Sequence, residues 1–154
     1  MGEIFDTVVR FFERAEWPVL PVEGETIVTT AFEGRNGEWN CVAVAREQDE
    51  RFVFYCIAPE NCPVERLIEA GEFLHRANDG LTLGCFELDY GDGGIRFRAA
   101  IDVEGDALSE PLCRNLIVTA CYAMDDYLPG LLDVMHGRRS AAEAIDAIEG
   151  EPQA

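Results

Sequence analysis

The chain has no lysine: all twelve basic residues are arginine, set against thirty acidic residues for a formal charge of -18. A field of that sign repels nucleic-acid phosphates and anionic lipid, so neither is expected as a partner. It favours solubility and cationic or basic partners. Long hydrophobic runs are also missing, and none approaches the roughly 20 residues of a membrane-spanning helix. The opening MGEIFDTVVRFFERAEW lacks the basic start, apolar stretch and small-residue cleavage site of a secretory signal. Asp6 stands where N-myristoylation wants serine or threonine. The expected location is the cytoplasm.

Histidine is scarce, with two in the chain, and the six cysteines (Cys41, Cys56, Cys62, Cys85, Cys113 and Cys121) form neither a CxxC nor a Cys–His cluster. Zinc and dithiol redox motifs announce themselves by such spacing, so the cysteines read as reduced core thiols. Cys41 and Cys56 fall in consecutive predicted strands and are expected to be neighbours. Two groupings contain residue types suited to chemistry. Asp125, Asp126 and His136 offer cation ligands, but adjacent helical residues point about 100° apart, so a solvated helix face is expected. Cys62 precedes a predicted helix start, where a thiol pKa can fall, but no base serves it. Ser109 and Ser140 read as helix caps. No catalytic residue, metal or cofactor is assigned.

What is present is a regular alternation of patterns within the size of one domain, assigned to residues 1–150, with 151–154 a disordered tail. Ile4, Phe5, Val8, Phe12 and Ala15 recur at helical spacing until EWP stops them, predicting a helix over residues 3–15. ETIVTTAFEG, EWNCVAVARE and RFVFYCIAP are β-branched or aromatic runs separated by turn signals, and predict an antiparallel meander. NCPVERLIEAGEFLHRANDG predicts a second helix whose apolar positions are Val64, Leu67, Ile68, Leu74 and Ala77. A third helix starts at Ser109 and is expected to kink or end at Pro129-Gly130. A last one starts at Ser140, where Glu143 completes a capping box.

The stretch GCFELDYGDGGIRFRAAI resembles neither a calcium loop, whose oxygen ligands would fall on glycines here, nor a phosphate loop, which would open onto a helix. It reads as a hairpin about a two-residue Asp92-Gly93 turn. Leu88 then faces Phe97 and Glu87 faces Arg98, with an apolar face and a charge-paired face. In the meander, Val42, Val44, Val53, Tyr55 and Ile57 make one apolar set. Trp39, Cys41, Ala43, Phe52, Phe54 and Cys56 make another on the opposite face. Both faces call for cover, either from the chain's own helices or from a subunit or partner interface centred on Trp39, Phe52 and Phe54.

The element order, together with LHRANDGLTLGCFELDYGDGGIRFRAAI and AMDDYLPGLLDVMHGRRSAAEAI, resembles the YbjN-like family of small bacterial proteins. The pieces that carry the resemblance are Asn78 and Gly84 ahead of the hairpin strand, IRFRAAI, and YLPGL followed by GRRSAAEAI. That family is similar in fold to the type III secretion chaperones, small acidic proteins, commonly dimeric, that hold extended client segments. The resemblance implies an α+β fold in two layers, a five-stranded antiparallel sheet with helices in the order α-β-β-β-α-β-β-α plus a short C-terminal helix. It brings no catalytic residue with it. The expectation is a non-enzymatic, chaperone-like or regulatory protein-binding module, acting as a homodimer with a protein or peptide client. The alternative is a small metal- or ligand-binding sensor or enzyme using groups such as Asp125, Asp126 or Cys62.

Overall fold

The computed structural model describes residues 2–150; the expected tail at 151–154 lies outside the described residues. Helix α1 (Glu3–Arg14) leads into strands β1 (Leu20–Pro21), β2 (Ile27–Glu33), β3 (Glu38–Arg46) and β4 (Arg51–Ile57). Helix α2 (Leu67–Asn78), strands β5 (Cys85–Leu88) and β6 (Ile95–Asp102), and helices α3 (Glu110–Met135) and α4 (Ala141–Glu149) complete it. The strands form one sheet in the order β1-β2-β3-β4-β6-β5, with every neighbouring pair antiparallel. The fold is therefore α+β as expected, with six strands instead of five. The additional one is two residues long and pairs Leu20 with Thr29 and Pro21 with Val28. Proline has no N–H to donate to a ladder, which confines this segment to the edge and hides it from a search for β-branched runs.

Helices cover one face of the sheet: α1 packs on β3, α3 on β4 and β6, and α2 on β5, with α4 closing over α2 and α3. Trp39, Phe52 and Phe54 lie under this layer at 2%, 0% and 0% exposure. The expected interface centre is thus corrected: these three residues are monomer core, because α1 and α3 supply their cover in cis. Burying a side chain of this size stabilises the fold by about 1.5–3 kcal/mol. An aromatic chain ties α1 to the β2–β3 hairpin, with ring centroids 5.1 Å apart for Phe12–Trp17, 5.7 Å for Trp17–Phe32 and 5.4 Å for Phe32–Trp39.

Helix α3 runs unbroken through Pro129 for 26 residues, where a kink or an end was expected. Proline's missing N–H orphans the carbonyl of Asp125, four residues earlier. Asn36 in the β2–β3 turn repairs the loss, its Nδ2 donating to that carbonyl at 2.9 Å. The Asp125 carboxylate in turn accepts the backbone N–H groups of Asn36 at 2.8 Å and Arg35 at 3.2 Å. Asp125 is 7% exposed, so the solvated face expected for it is also corrected. Gly34 permits the approach, since a Cβ there would stand 2.4 Å from Asp125 Oδ1.

The β5–β6 hairpin forms two residues out of the expected register, with Leu88 opposite Ile95, Glu87 opposite Arg96 and Phe86 opposite Phe97. A shift of two keeps every side chain on its expected face. The loop lengthens instead: Asp89 N–H donates to Gly94 O at 2.9 Å, and the carboxylates of Asp89 and Asp92 accept from Gly91 and Gly94 N–H at 2.7 Å each. The loop is also docked, Cys62 N–H donating to Gly93 O at 2.7 Å. Local aspartate turns and this tertiary contact together outweigh the two-residue turn.

Helix α2 departs from its predicted stripe. A 3-10 turn at Val64–Arg66 precedes it, and Val64 and Ile68 stand 78% and 81% exposed while Ala70, Phe73, Leu74 and Ala77 are buried. The tighter turn resets the helical phase, and the buried stripe is the one that meets α3, α4 and β5. Both predicted serine caps form. Ser109 Oγ accepts Leu112 N–H, and Ser140 with Glu143 makes the reciprocal capping box.

Candidate functional site

Among the described residues, no helix covers the sheet face opposite the helix layer. Strand alternation and register lay three rows of side chains across it. Ile27, Val44, Val53 and Ala100 form one, and Thr29, Val42, Tyr55 and Arg98 a second. Ala31, Asn40, Ile57 and Arg96 form the third. Val42, Val44 and Tyr55 are half-buried by their neighbours alone, and Ile57 and Leu20 are exposed at 39% and 73%. A groove of about 720 Å³ runs along β1, β2 and β3 between Val19, Leu20, Thr29, Val42 and Ile57. This is the set Val42, Val44, Val53, Tyr55 and Ile57 that the sequence marked as needing cover; Val53 is buried at 7% exposure, and the other four keep part of their surface open.

Charge is distributed on this face in a way that sets it apart from the rest of the chain. The strand positions that point to it carry four arginines (Arg46, Arg51, Arg96 and Arg98) and four carboxylates (Glu33, Glu38, Glu87 and Asp102). A protein with formal charge -18 thus has one face whose charges balance. Arg96 Nε meets Glu87 at 2.9 Å, and its guanidinium lies 4.4 Å over the Tyr55 ring. Arg98 Nε is 3.2 Å from the same Glu87 oxygen but misaligned for a hydrogen bond, so it is left as a buried donor without a partner. Glu33 and Glu38 stand directly opposite one another, a like-charge pair that disfavours the isolated sheet end.

Beneath the open face, on the covered side, three sulfurs converge. Cys41 and Cys56 are cross-strand partners with sulfurs 3.8 Å apart, and Cys56 lies 3.9 Å from Cys121 of α3. All three are buried. The neighbouring thiols of Cys121 and then Cys56 pull the Cys41 thiol down to about 5, against the opposing effect of burial and with help from the Trp39 indole. Cys56 and Cys121 are pushed up in turn, chiefly by hydrogen bonds within the cluster. The expected Cys41–Cys56 neighbourhood is therefore present, and Cys121 joins it from 65 residues away in sequence. No local spacing motif could have signalled that third member.

The other groups weighed from sequence do not come together. Asp125 serves the β2–β3 turn, Asp126 is exposed, and His136 Nε2 pairs with Glu60 at 2.9 Å. Cys62 is not an activated thiol: burial pushes it up, with Glu65 and Glu69 adding to the shift against Arg66. Two residues that carried the family resemblance do have structural work. Asn78 exchanges two hydrogen bonds with the Phe86 backbone, at 2.7 and 3.1 Å, and so pins β5 to the end of α2. Gly84 sits at φ +86°, and a Cβ there would stand 2.5 Å from Arg98 O.

The family model described as "Putative bacterial sensory transduction regulator", YbjN, matches residues 5–133. The chain belongs to the YbjN family. Among solved structures, it is similar to "YbjN, a putative transcription regulator from E. coli", with a TM-score of 0.59 at 6% identity over 86% of this chain and 89% of that one. At that identity the likeness is one of fold. It is also similar to a chain of the ExsC–ExsE complex, with a TM-score of 0.49 at 14% identity over 78% of this chain and 87% of that one. For the HopA1–SchA chaperone–effector complex the values are 0.48 and 17%, over 89% and 94%. No curated protein matches the chain in sequence. Among the described residues of this YbjN-family chain, no helix is long and apolar enough to cross a membrane.

Proposed function

We propose that this YbjN-family chain is a non-enzymatic regulatory module of the cytoplasm that works by protein binding, and that its open sheet face pairs with a second copy of itself. The observation that carries the reading is the open face: apolar side chains span four strands there with no covering element among the described residues, and its strand positions set four arginines among four carboxylates. Two copies of a chain at -18 repel over most of their surfaces. A face bearing arginines beside carboxylates lets a two-fold pair set Arg96 and Arg98 of one copy near the carboxylates of the other. The family's description as a regulator and the likeness in fold to YbjN accord with a binding role.

Native mass spectrometry and sedimentation of the untagged protein test the proposal. The expected result is a dimer that Val42→Arg converts to monomer without loss of the fold. A monomer at high micromolar concentration, unchanged by Val42→Arg, would overturn the self-pairing. A monomer whose open face instead takes up a stoichiometric protein or peptide client, lost in Val42→Arg, would keep the binding role and replace its occupant.

A further inference from the structure

Two strands and a helix bring three buried sulfurs within 4.8 Å of one another. We propose that Cys41, Cys56 and Cys121 form a three-coordinate site for a thiophilic metal ion, copper(I), sealed between the sheet and α3. The ligand set is sulfur alone, which selects soft cations over magnesium, calcium or manganese. Among the described residues, no other histidine, cysteine, aspartate or glutamate joins the group, whose ligand atoms all lie within 4.8 Å of one another. With sulfurs 3.8 and 3.9 Å apart, the centre of the triangle stands about 2.2–2.5 Å from each, which brackets the metal–thiolate distance of about 2.3 Å.

The coordination number separates the candidate ions. Zinc takes four ligands, and its three-ligand protein sites keep a water in the fourth position. Here the three cysteines are 0–2% exposed, so solvent does not reach the site as it stands. Copper(I) is satisfied by three thiolates.

A second observation points to the same place. Trp39 Nε1 is a buried donor with no hydrogen-bond partner, in a residue that is almost fully enclosed. It stands two residues from Cys41 on the same buried face of β3. A metal-bound thiolate keeps lone pairs that accept such an N–H, and outer hydrogen bonds of this kind orient metal ligands. Copper enters as copper(I) and leaves its oxidation state unchanged; the thiol protons pass to solvent as Cu–S bonds form. This site is independent of the open face, which lies on the other side of the sheet.

The test is to refold fully reduced protein without oxygen in the presence of one equivalent of copper(I), so that burial does not block loading. The product is then challenged with a chromophoric copper(I) chelator. One copper per chain should survive the challenge, with three sulfur neighbours in X-ray absorption. Cys121→Val and the smaller change Cys121→Ser should each release copper at least tenfold more readily, while Cys113→Ala, which removes another buried α3 thiol, should not. Loss of copper from the wild type to the chelator would overturn the proposal. So would equal retention by a folded Cys121 variant, or fewer than three sulfurs in the wild-type spectrum. Stoichiometric zinc held in preference to copper, under the same loading, would overturn the copper assignment.

Discussion

The two faces of the central strands carry similar numbers of apolar residues and have opposite fates. On the covered side stand Trp39, Cys41, Ala43, Phe52, Phe54 and Cys56, all at or below 3% exposure. On the open side stand Val42, Val44, Val53, Tyr55 and Ile57, interleaved with Thr29, Asn40, Arg96 and Arg98. Size and polarity separate the two sets. The covered face alternates large aromatics with small cysteines and alanines, which lets helices settle close to the backbone. The open face is β-branched with arginines at its flank, a mixed surface on which apolar area and charge alternate. The parity of an apolar residue's position in β3 and β4 therefore decides whether it meets the helix layer or the uncovered face.

The sharpest way to break this comparison is to truncate neighbours of opposite parity. Phe54→Ala should cost about 3–5 kcal/mol in denaturant unfolding, as large core truncations do. Tyr55→Ala, one residue on, should cost less than about 1 kcal/mol in the same assay while weakening self-association. Equal losses at the two positions would mean that both faces are core. Asp125→Ala should come next, at about 2–3 kcal/mol, because it leaves the Arg35 and Asn36 N–H groups without their charged acceptor at the end of the covered face. Loss of the Ser140 capping box, by Ser140→Ala, should cost about 1 kcal/mol, readable as a fall in melting temperature. The smallest effect belongs to the open face: Glu87→Gln should change stability by less than about 1 kcal/mol, since exposed ion pairs contribute little, and should show chiefly in the salt dependence of association.

Much of this was legible in the sequence because it depends on local periodicity. Helix α1, the meander, the Ser109 and Ser140 caps and the two-faced character of β3 and β4 all follow from residues within a few positions of one another. Non-local partners account for the departures. The β5–β6 loop widened because Cys62 docks on Gly93, and α3 crossed Pro129 because Asn36, 93 positions earlier, supplied the lost hydrogen bond. Trp39, Phe52 and Phe54 have the composition of an interface core, and only the placement of α1 and α3 shows that they are inside. The thiol cluster was half legible: strand pairing brings Cys41 to Cys56, but Cys121 arrives on a helix.

The sequence by itself determined the acidic, arginine-only character of the chain, the run of its elements and the parity that gives the central strands two apolar faces. Side-chain alternation and helical period are properties of the backbone, and they act wherever those residues are placed. Which face the helices would cover, and therefore which apolar set is left uncovered and which sulfurs meet, was decided by the tertiary structure. That choice rests on packing large aromatics against a helix layer, a free-energy difference summed over residues far apart in the chain.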